Sequence, residues 1–371
     1  MLIQNAKAFI DGKFQEKTDL LIRDGRISAI GTGLAAEGEE LLDLGGDLLL
    51  PGFVDVHIHA FKGMDTMQGE EAVRHMSREL KKVGVAAFLP TTMSASPEDT
   101  VRALAGVKAV MERPEPDGAI VLGAHMEAPF LAEAKAGAQL KQYFVDPNEE
   151  NWQRYTGGLE SVVRLITMAP ERAGAMEFIS ALTKKGITVS IGHTTADAET
   201  THAAAEAGAT HVTHTFNAQT PLNHRAPGVP GAALVDDRLQ CEVISDGIHL
   251  HPDIVKLIIR TKGKEKLVAI TDAMEAAGMP DGQYQLGGQE VFVHEGAARL
   301  KDGTLAGSTL TMVQAFQNLM RFGATPEEAA LMTTKTPALS IGNEELGEIE
   351  LGAPAIFSRF DENYAFKGTV G

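Results

Sequence analysis

Between residues 51 and 270 short apolar segments alternate with helical patterns, and that alternation limits the fold more than any other feature. The strand candidates are 51–60, 85–89, 120–124, 162–167, 187–191, 211–213, 240–244 and 267–270. Helical stretches at 70–83, 97–111, 173–184, 198–207 and 252–260 fall between them, and 311–322 and 326–333 follow, with Pro337 read as an exit. Parallel neighbours need a long crossover, usually a helix, so this order predicts a parallel sheet. Eight such strands are the number that a (β/α)8 TIM barrel requires, and 371 residues are enough to build one. Residues 1–50 and 340–371 hold only short strands and turns, including a hairpin signal at Asp24-Gly25. Neither end can bury a core by itself. They are expected to pair into one small flanking β-sandwich, leaving 51–339 as the barrel, with a glycine-rich β insertion at about 278–303.

Charge and cysteine content then narrow the function. A formal charge of −17 opposes the counterion release on which non-specific nucleic-acid and membrane-surface binding depend, so neither partner is expected. It also requires that any anionic ligand meet a local basic cluster. No apolar run approaches the roughly 20 residues of a membrane span, and the first residues lack the apolar core of a signal peptide. Cys241 is the only cysteine, which rules out an internal disulfide and thiol-rich metal sites and fits a cytoplasmic enzyme. Lying in an apolar strand, it reads as inert core.

Catalytic groups of a barrel lie at the carboxyl ends of its strands, and this chain places metal-ligand or acid-base residue types at several of them. The first strand ends in His57-Ile58-His59, whose two imidazoles share a face because strand side chains alternate. Alone, such a pair reads as hydrogen-bonded core. The third ends in His125-Met126-Glu127, the fifth in Gly192-His193-Thr194, the sixth in Thr213-His214-Thr215-Phe216-Asn217-Ala218 and the eighth in Thr271-Asp272-Ala273. Glu127, His193 and His214 form a carboxylate-imidazole set suited to Zn²⁺ or Fe²⁺, which would acidify a bound water and polarise a carbonyl. His57 and His59 offer a second metal position with Glu127 bridging, so one or two ions per subunit are expected. Asp272 is placed to take and return a proton, although an aspartate there also reads as a helix N-cap. Arg225, in Asn223-His224-Arg225, is the candidate phosphate grip. Leu305-Ala306-Gly307 is read as cleft lining, since glycine lets backbone approach a ligand closely.

With these residues and the ordered motifs HMEAPF, GHT, THTFNA, SDGIH, TDAM and LAGSTLTM in view, the sequence resembles the N-acetylglucosamine-6-phosphate deacetylases of the amidohydrolase superfamily. The resemblance runs from the PGFVDVHIH strand to the LGEIELG end. It implies a metal-dependent barrel with a flanking β-sandwich, a homodimer, and hydrolysis of the N-acetyl group of N-acetylglucosamine-6-phosphate to glucosamine-6-phosphate and acetate. The family's metal ligands carry over to Glu127, His193 and His214, and its acid/base to Asp272. Its substrate contacts fall on Asn217, Ala218, Arg225, His249, Leu305, Ala306 and Gly307, with Ala138, Gln139, Asp246, Gly247 and Ile248 taken alongside. The phosphate-gripping arginine can come from the partner subunit.

Two departures bear on substrate choice: Ala128 stands where family members often have glycine, and Gln139 where many have histidine. Loss of the imidazole at Gln139 leaves room for a related amino-sugar phosphate, such as the galacto epimer. A cyclic amidase is the enzymatic alternative, but such enzymes typically carry a carbamylated lysine at the fourth strand, and Thr167-Met168-Ala169-Pro170-Glu171 contains none. A non-catalytic scaffold would be free to lose the ligands that this chain keeps.

Overall fold

The computed structural model describes residues 1–35 and 38–371. Eight parallel strands form a nearly closed barrel: Phe53–Ile58, Val85–Thr92, Ala124–Met126, Val163–Met168, Thr188–Ile191, His211–Val212, Gln240–Ile244 and Leu267–Ile270. The first two are buried at every position, which explains their near-continuous apolar runs. The first and last strands are joined by a polar clasp. Asp272 N–H donates to His57 O (2.8 Å), while the buried Asp55 carboxylate accepts from Thr271 Oγ1 (2.5 Å) and from the amides of His57 and Thr271 (3.3 Å each). Burial pushes the Asp55 carboxyl up to about 6 against those donors.

Local signals set the helix starts. Ser96 caps Pro97–Glu112, with proline where its missing N–H costs nothing, Asp197 caps Ala198–Ala207, and Thr325 with Glu328 forms a capping box on Pro326–Thr333.

Three expectations need correction. The third barrel strand is not 120–124. Ile120–Val121 pairs only at the edge, the chain breaks at Gly123 (φ +145°), and Ala124–Met126 enters the barrel. A side chain at Gly123 would meet Arg164 Cγ and Val162 O at 2.4 and 2.7 Å, so only glycine allows that break. The 173–184 helix starts two residues late, at Ala175, behind a left-handed Gly174 (φ +80°). Pro337 marks no exit: it sits in the first turn of Lys335–Ser340, where a helix tolerates proline.

The chain ends meet in a flanking β-sandwich built on one seven-stranded sheet. Leu2–Ile10, Lys13–Arg23, Arg26–Gly31, Leu41–Asp43 and Leu48–Pro51 are continued by Phe357–Phe360, antiparallel to Leu48–Pro51, and Phe366–Val370. Asp24 and Gly25 take positive φ (51° and 71°), the geometry of a tight hairpin turn. Ile3, Leu20, Ile27, Leu49 and Phe357 anchor a core separate from that of the barrel. Gly282–Leu286, Gln289–His294 and Ala297–Arg299 form a further antiparallel sheet, whose Leu286 reaches the barrel mouth.

Candidate metal centre and active site

The barrel gathers its strand-end histidines around one carboxylate. Glu127 Oε1 lies 3.1 Å from His193 Nε2, 3.0 Å from His214 Nε2 and 3.4 Å from His57 Nε2. Glu127 Oε2 lies 3.2 Å from His59 Nε2. Asp272 Oδ1 faces the same two first-strand rings, 3.1 Å from His59 and 3.5 Å from His57. Two overlapping donor groups result, His57-His59-Glu127 and Glu127-His193-His214, with every donor residue buried.

The residues fit divalent cations. Donors about 2.0–2.1 Å from a tetrahedral ion stand roughly 3.3 Å apart, which is the spacing found here. The far nitrogens are fixed by acceptors: His57 Nδ1 by Glu242 Oε2 (3.1 Å), His59 Nδ1 by Thr91 O (3.3 Å) and His193 Nδ1 by Lys135 O (2.8 Å). These three rings can therefore keep a proton on Nδ1 and offer Nε2 to an ion, as metal-ligating imidazoles do, while His214 Nδ1 has no such acceptor among the described residues. His193 Nε2 and His214 Nε2 stand 3.1 Å apart, and His57 Nε2 has no good hydrogen-bond partner among the described residues. A cation relieves both defects.

Charge points the same way. Burial opposes a proton on His57 and His59, yet the Asp272 and Glu127 carboxylates outweigh it, raising His57 well above the ordinary imidazole range and His59 to about 9. Burial likewise opposes ionisation of Glu127, but the neighbouring imidazoles hold it well below the carboxylate range, and those of the first strand lower Asp272. Carboxylates that attract protons to adjacent imidazoles also attract a divalent ion in their place.

Backbone geometry aims several of these groups. His193, His214 and Asp272 all take positive φ (46°, 28° and 50°), as do Phe216 and Ala218 (79° and 51°). Each costs of order 1–3 kcal/mol and persists only where packing enforces it. Asp272 is no helix N-cap: its carboxylate faces His59, and its carbonyl accepts from Ser308 N (2.7 Å).

Above the cluster opens a cavity of about 320 Å³. Of the substrate positions expected from sequence, Ala138, Gln139, Asn217, Ala218, His249, Leu305 and Gly307 line it, as do the donors His59, Glu127, His193, His214 and Asp272. Ala306 is buried behind them, donating its amide to Ala298 O (3.1 Å). Asp246 lies beside His249, accepting from its Nδ1 (2.7 Å) and from the amides of Ile248 and His249 (2.8 Å each). That turn gives Gly247 a φ of +78° and leaves Ile248 partly exposed outside the lining. Arg225 is not brought to the cavity. It is exposed on a turn closed by the Asn223–Ala226 bridge.

Sequence reasoning passed over Glu242, Asp55 and Lys135. Glu242 and Asp55 are acids inside otherwise apolar strands, a signal that could have been read, and Asp55 has the same parity as His57 and His59. Lys135, the one lysine or arginine in the lining among the described residues, carries no comparable signal, since it stands in the irregular segment after the third strand. Met93, Leu286 and Thr304 also line the cavity, brought there from distant segments.

Comparisons with known proteins bear on the family and the fold. The amidohydrolase family model matches residues 48–368. An N-acetylglucosamine-6-phosphate deacetylase of Lysinibacillus sphaericus is 37% identical over 100% of this chain and 96% of its own length. An N-acetylgalactosamine-6-phosphate deacetylase of Escherichia coli O157:H7 is 36% identical over 91% and 88%. Among solved structures, a mutant N-acetyl-D-glucosamine-6-phosphate deacetylase of Mycobacterium smegmatis in complex with N-acetyl-D-glucosamine-6-phosphate superposes with a TM-score of 0.92. It covers 100% of this chain and 97% of that one at 32% identity. Eight parallel strands, a buried carboxylate-imidazole cluster at their carboxyl ends and these full-length likenesses lead to one conclusion: the chain belongs to the amidohydrolase family, among its N-acetylglucosamine-6-phosphate deacetylases.

Proposed function

We propose that the protein hydrolyses the acetamide of N-acetylglucosamine-6-phosphate, releasing acetate and glucosamine-6-phosphate. One observation carries the reading: Glu127 and Asp272 converge on His59 (3.2 and 3.1 Å) at the floor of a cavity that can take a single sugar. Glu127, His193 and His214 would hold Zn²⁺ or Fe²⁺, with His57 and His59 offering a second position. When bound, the ion supplies Lewis acidity toward the acetyl carbonyl and the attacking water. Asp272, kept ionised, takes a proton from that water as its oxygen bonds to the acetyl carbon. It returns the proton to the departing nitrogen as the C–N bond breaks. His249, oriented by Asp246, Asn217 and the Leu305–Gly307 turn hold the sugar, and water is displaced from the cavity as it fills.

The phosphate needs a cation. Lys135 can meet it from within the same chain, and Arg225 from a neighbouring subunit if the enzyme is a homodimer. The same reading places the enzyme in the cytoplasm and divides it into residues 1–50 with 340–371 and the barrel 51–339, a division supported by the two separate cores. Among the described residues, no helix is long and apolar enough to cross a membrane.

The galacto epimer is the second reading, favoured by the E. coli O157:H7 relative named for it. Acetate release measured on N-acetylglucosamine-6-phosphate, N-acetylgalactosamine-6-phosphate and unphosphorylated N-acetylglucosamine tests both. The expected order is gluco phosphate first, galacto phosphate next and free sugar at least tenfold slower. Faster turnover of the galacto epimer overturns the substrate assignment, and equal rates on free and phosphorylated sugar overturn the phosphate grip.

A further inference from the structure

Gln139 lines the cavity, yet its amide is already engaged by protein. Its Oε1 accepts from Ser94 N (2.7 Å), and its Nε2 donates to Glu127 Oε2 (2.5 Å) and lies 3.5 Å from Met93 Sδ. The Ser94 contact fixes the amide orientation, because a flipped amide would set two N–H donors against each other. A second clip, from Leu140 N to Ser94 Oγ (2.5 Å), holds the segment in place, and Gln139 is 5% exposed. Both amide hydrogens point into protein, so no N–H remains free for a sugar.

The contact is also one-sided. Oε1 of Glu127 serves His193 and His214 (3.1 and 3.0 Å) and stands farther from His57 (3.4 Å), while Oε2 is the oxygen nearest His59 (3.2 Å) and the one that Gln139 engages. A hydrogen bond donated to a carboxylate oxygen withdraws negative charge from it and occupies a lone pair that a cation would use.

We infer that Gln139 sets the metal occupancy of this centre: its amide, clamped on Glu127 Oε2, leaves a tight ion at Glu127-His193-His214 and weakens the second position at His57-His59. Gln139 is thus a positioning residue, acting through Glu127. The inference rests on the metal-centre reading proposed above.

Chelator-stripped protein titrated with Zn²⁺ alone, with bound ion counted at each free concentration, tests it. For the unaltered protein, the second ion is expected to bind at least tenfold more weakly than the first. Gln139→Leu removes the donor at similar size and should narrow that gap at least threefold. Gln139→Glu keeps the acceptor for Ser94 and adds charge, and should close the gap. His59→Asn in either background should remove only the weaker ion, identifying its position. A gap within twofold of the unaltered protein in both Gln139 variants overturns the inference while leaving the metal centre standing. So does a pair of equally tight ions before any substitution. Absence of any bound ion overturns the metal-centre reading, and this inference with it.

Discussion

The two halves of the cluster around Glu127 are built differently. His57 and His59 belong to a regular strand and its first following residue, so strand alternation alone aims them together. His193 and His214 follow the fifth and sixth strands in strained left-handed backbone, their positions enforced by surrounding packing. The first-strand half is rich in anionic partners, with Glu242 behind His57 and Asp272 in front of both rings. The other half has Glu127 alone among carboxylates facing its rings, with Glu242 Oε2 accepting only from the His214 backbone amide (3.3 Å) and a backbone carbonyl behind His193. Under the function proposed above, this contrast separates two tasks: the strained half would hold an ion, and the acidic half would move a proton.

Asp272→Asn tests that separation hardest. Losing a positioned acid-base group should lower kcat by about 10²–10⁴-fold, while ion content at Glu127-His193-His214, counted on the purified protein, stays unchanged. Loss of that ion together with activity would break the comparison. Glu242→Gln removes the charged partner of His57 Nδ1. It should weaken ion binding on the first-strand side by about 10–100-fold, with a smaller effect on the other side, which Glu242 meets only through the His214 backbone amide. Equal weakening on both sides would mean that the halves act as one unit.

Gly307→Val is expected to act through Asp272. Gly307 has φ +64°, and an added Cβ would stand 3.1 Å from Asp272 O and from Met274 Cβ. A strain of about 1–3 kcal/mol should lower the unfolding midpoint and kcat together while His193 and His214 keep their ion. Cys241 supplies the smallest effect and a folding control. Burial pushes its thiol up to about 11, so the reactive thiolate is scarce at pH 8 and becomes abundant only as pH approaches that value. Alkylation at pH 8 should remain negligible in every correctly folded variant. Rapid labelling of one would trace its lost activity to unfolding.

Periodicity made the barrel legible because parallel strands buried on both faces must be apolar, and their crossovers must be helical. His57, His59, Glu127, His193, His214 and Asp272 were legible for a related reason: barrel strands deliver their carboxyl ends to one rim, so acids and imidazoles just past them converge. The third strand was misplaced because Leu122-Gly123 looks like continuous strand until Gly123 meets Arg164 and Val162. Glu242 stayed hidden because its partner, His57, lies 185 residues away.

Local chemistry written along the chain therefore determined the barrel, the pairing of the two ends and the cast of the site. Strand period, caps and turn residues act over a few positions and need no distant partner. Only the tertiary structure decided who faces whom: that Gln139 turns its amide onto Glu127, that Lys135 lines the cavity while Arg225 does not, and that Asp272 faces His57 and His59. These are angstrom-scale relations between segments far apart in sequence. Closure of the barrel sets them, and no local pattern encodes them. The His57-Ile58-His59 strand end could be recognised from sequence, but its role depends on the Glu127, Glu242 and Asp272 carboxylates that closure brings to it.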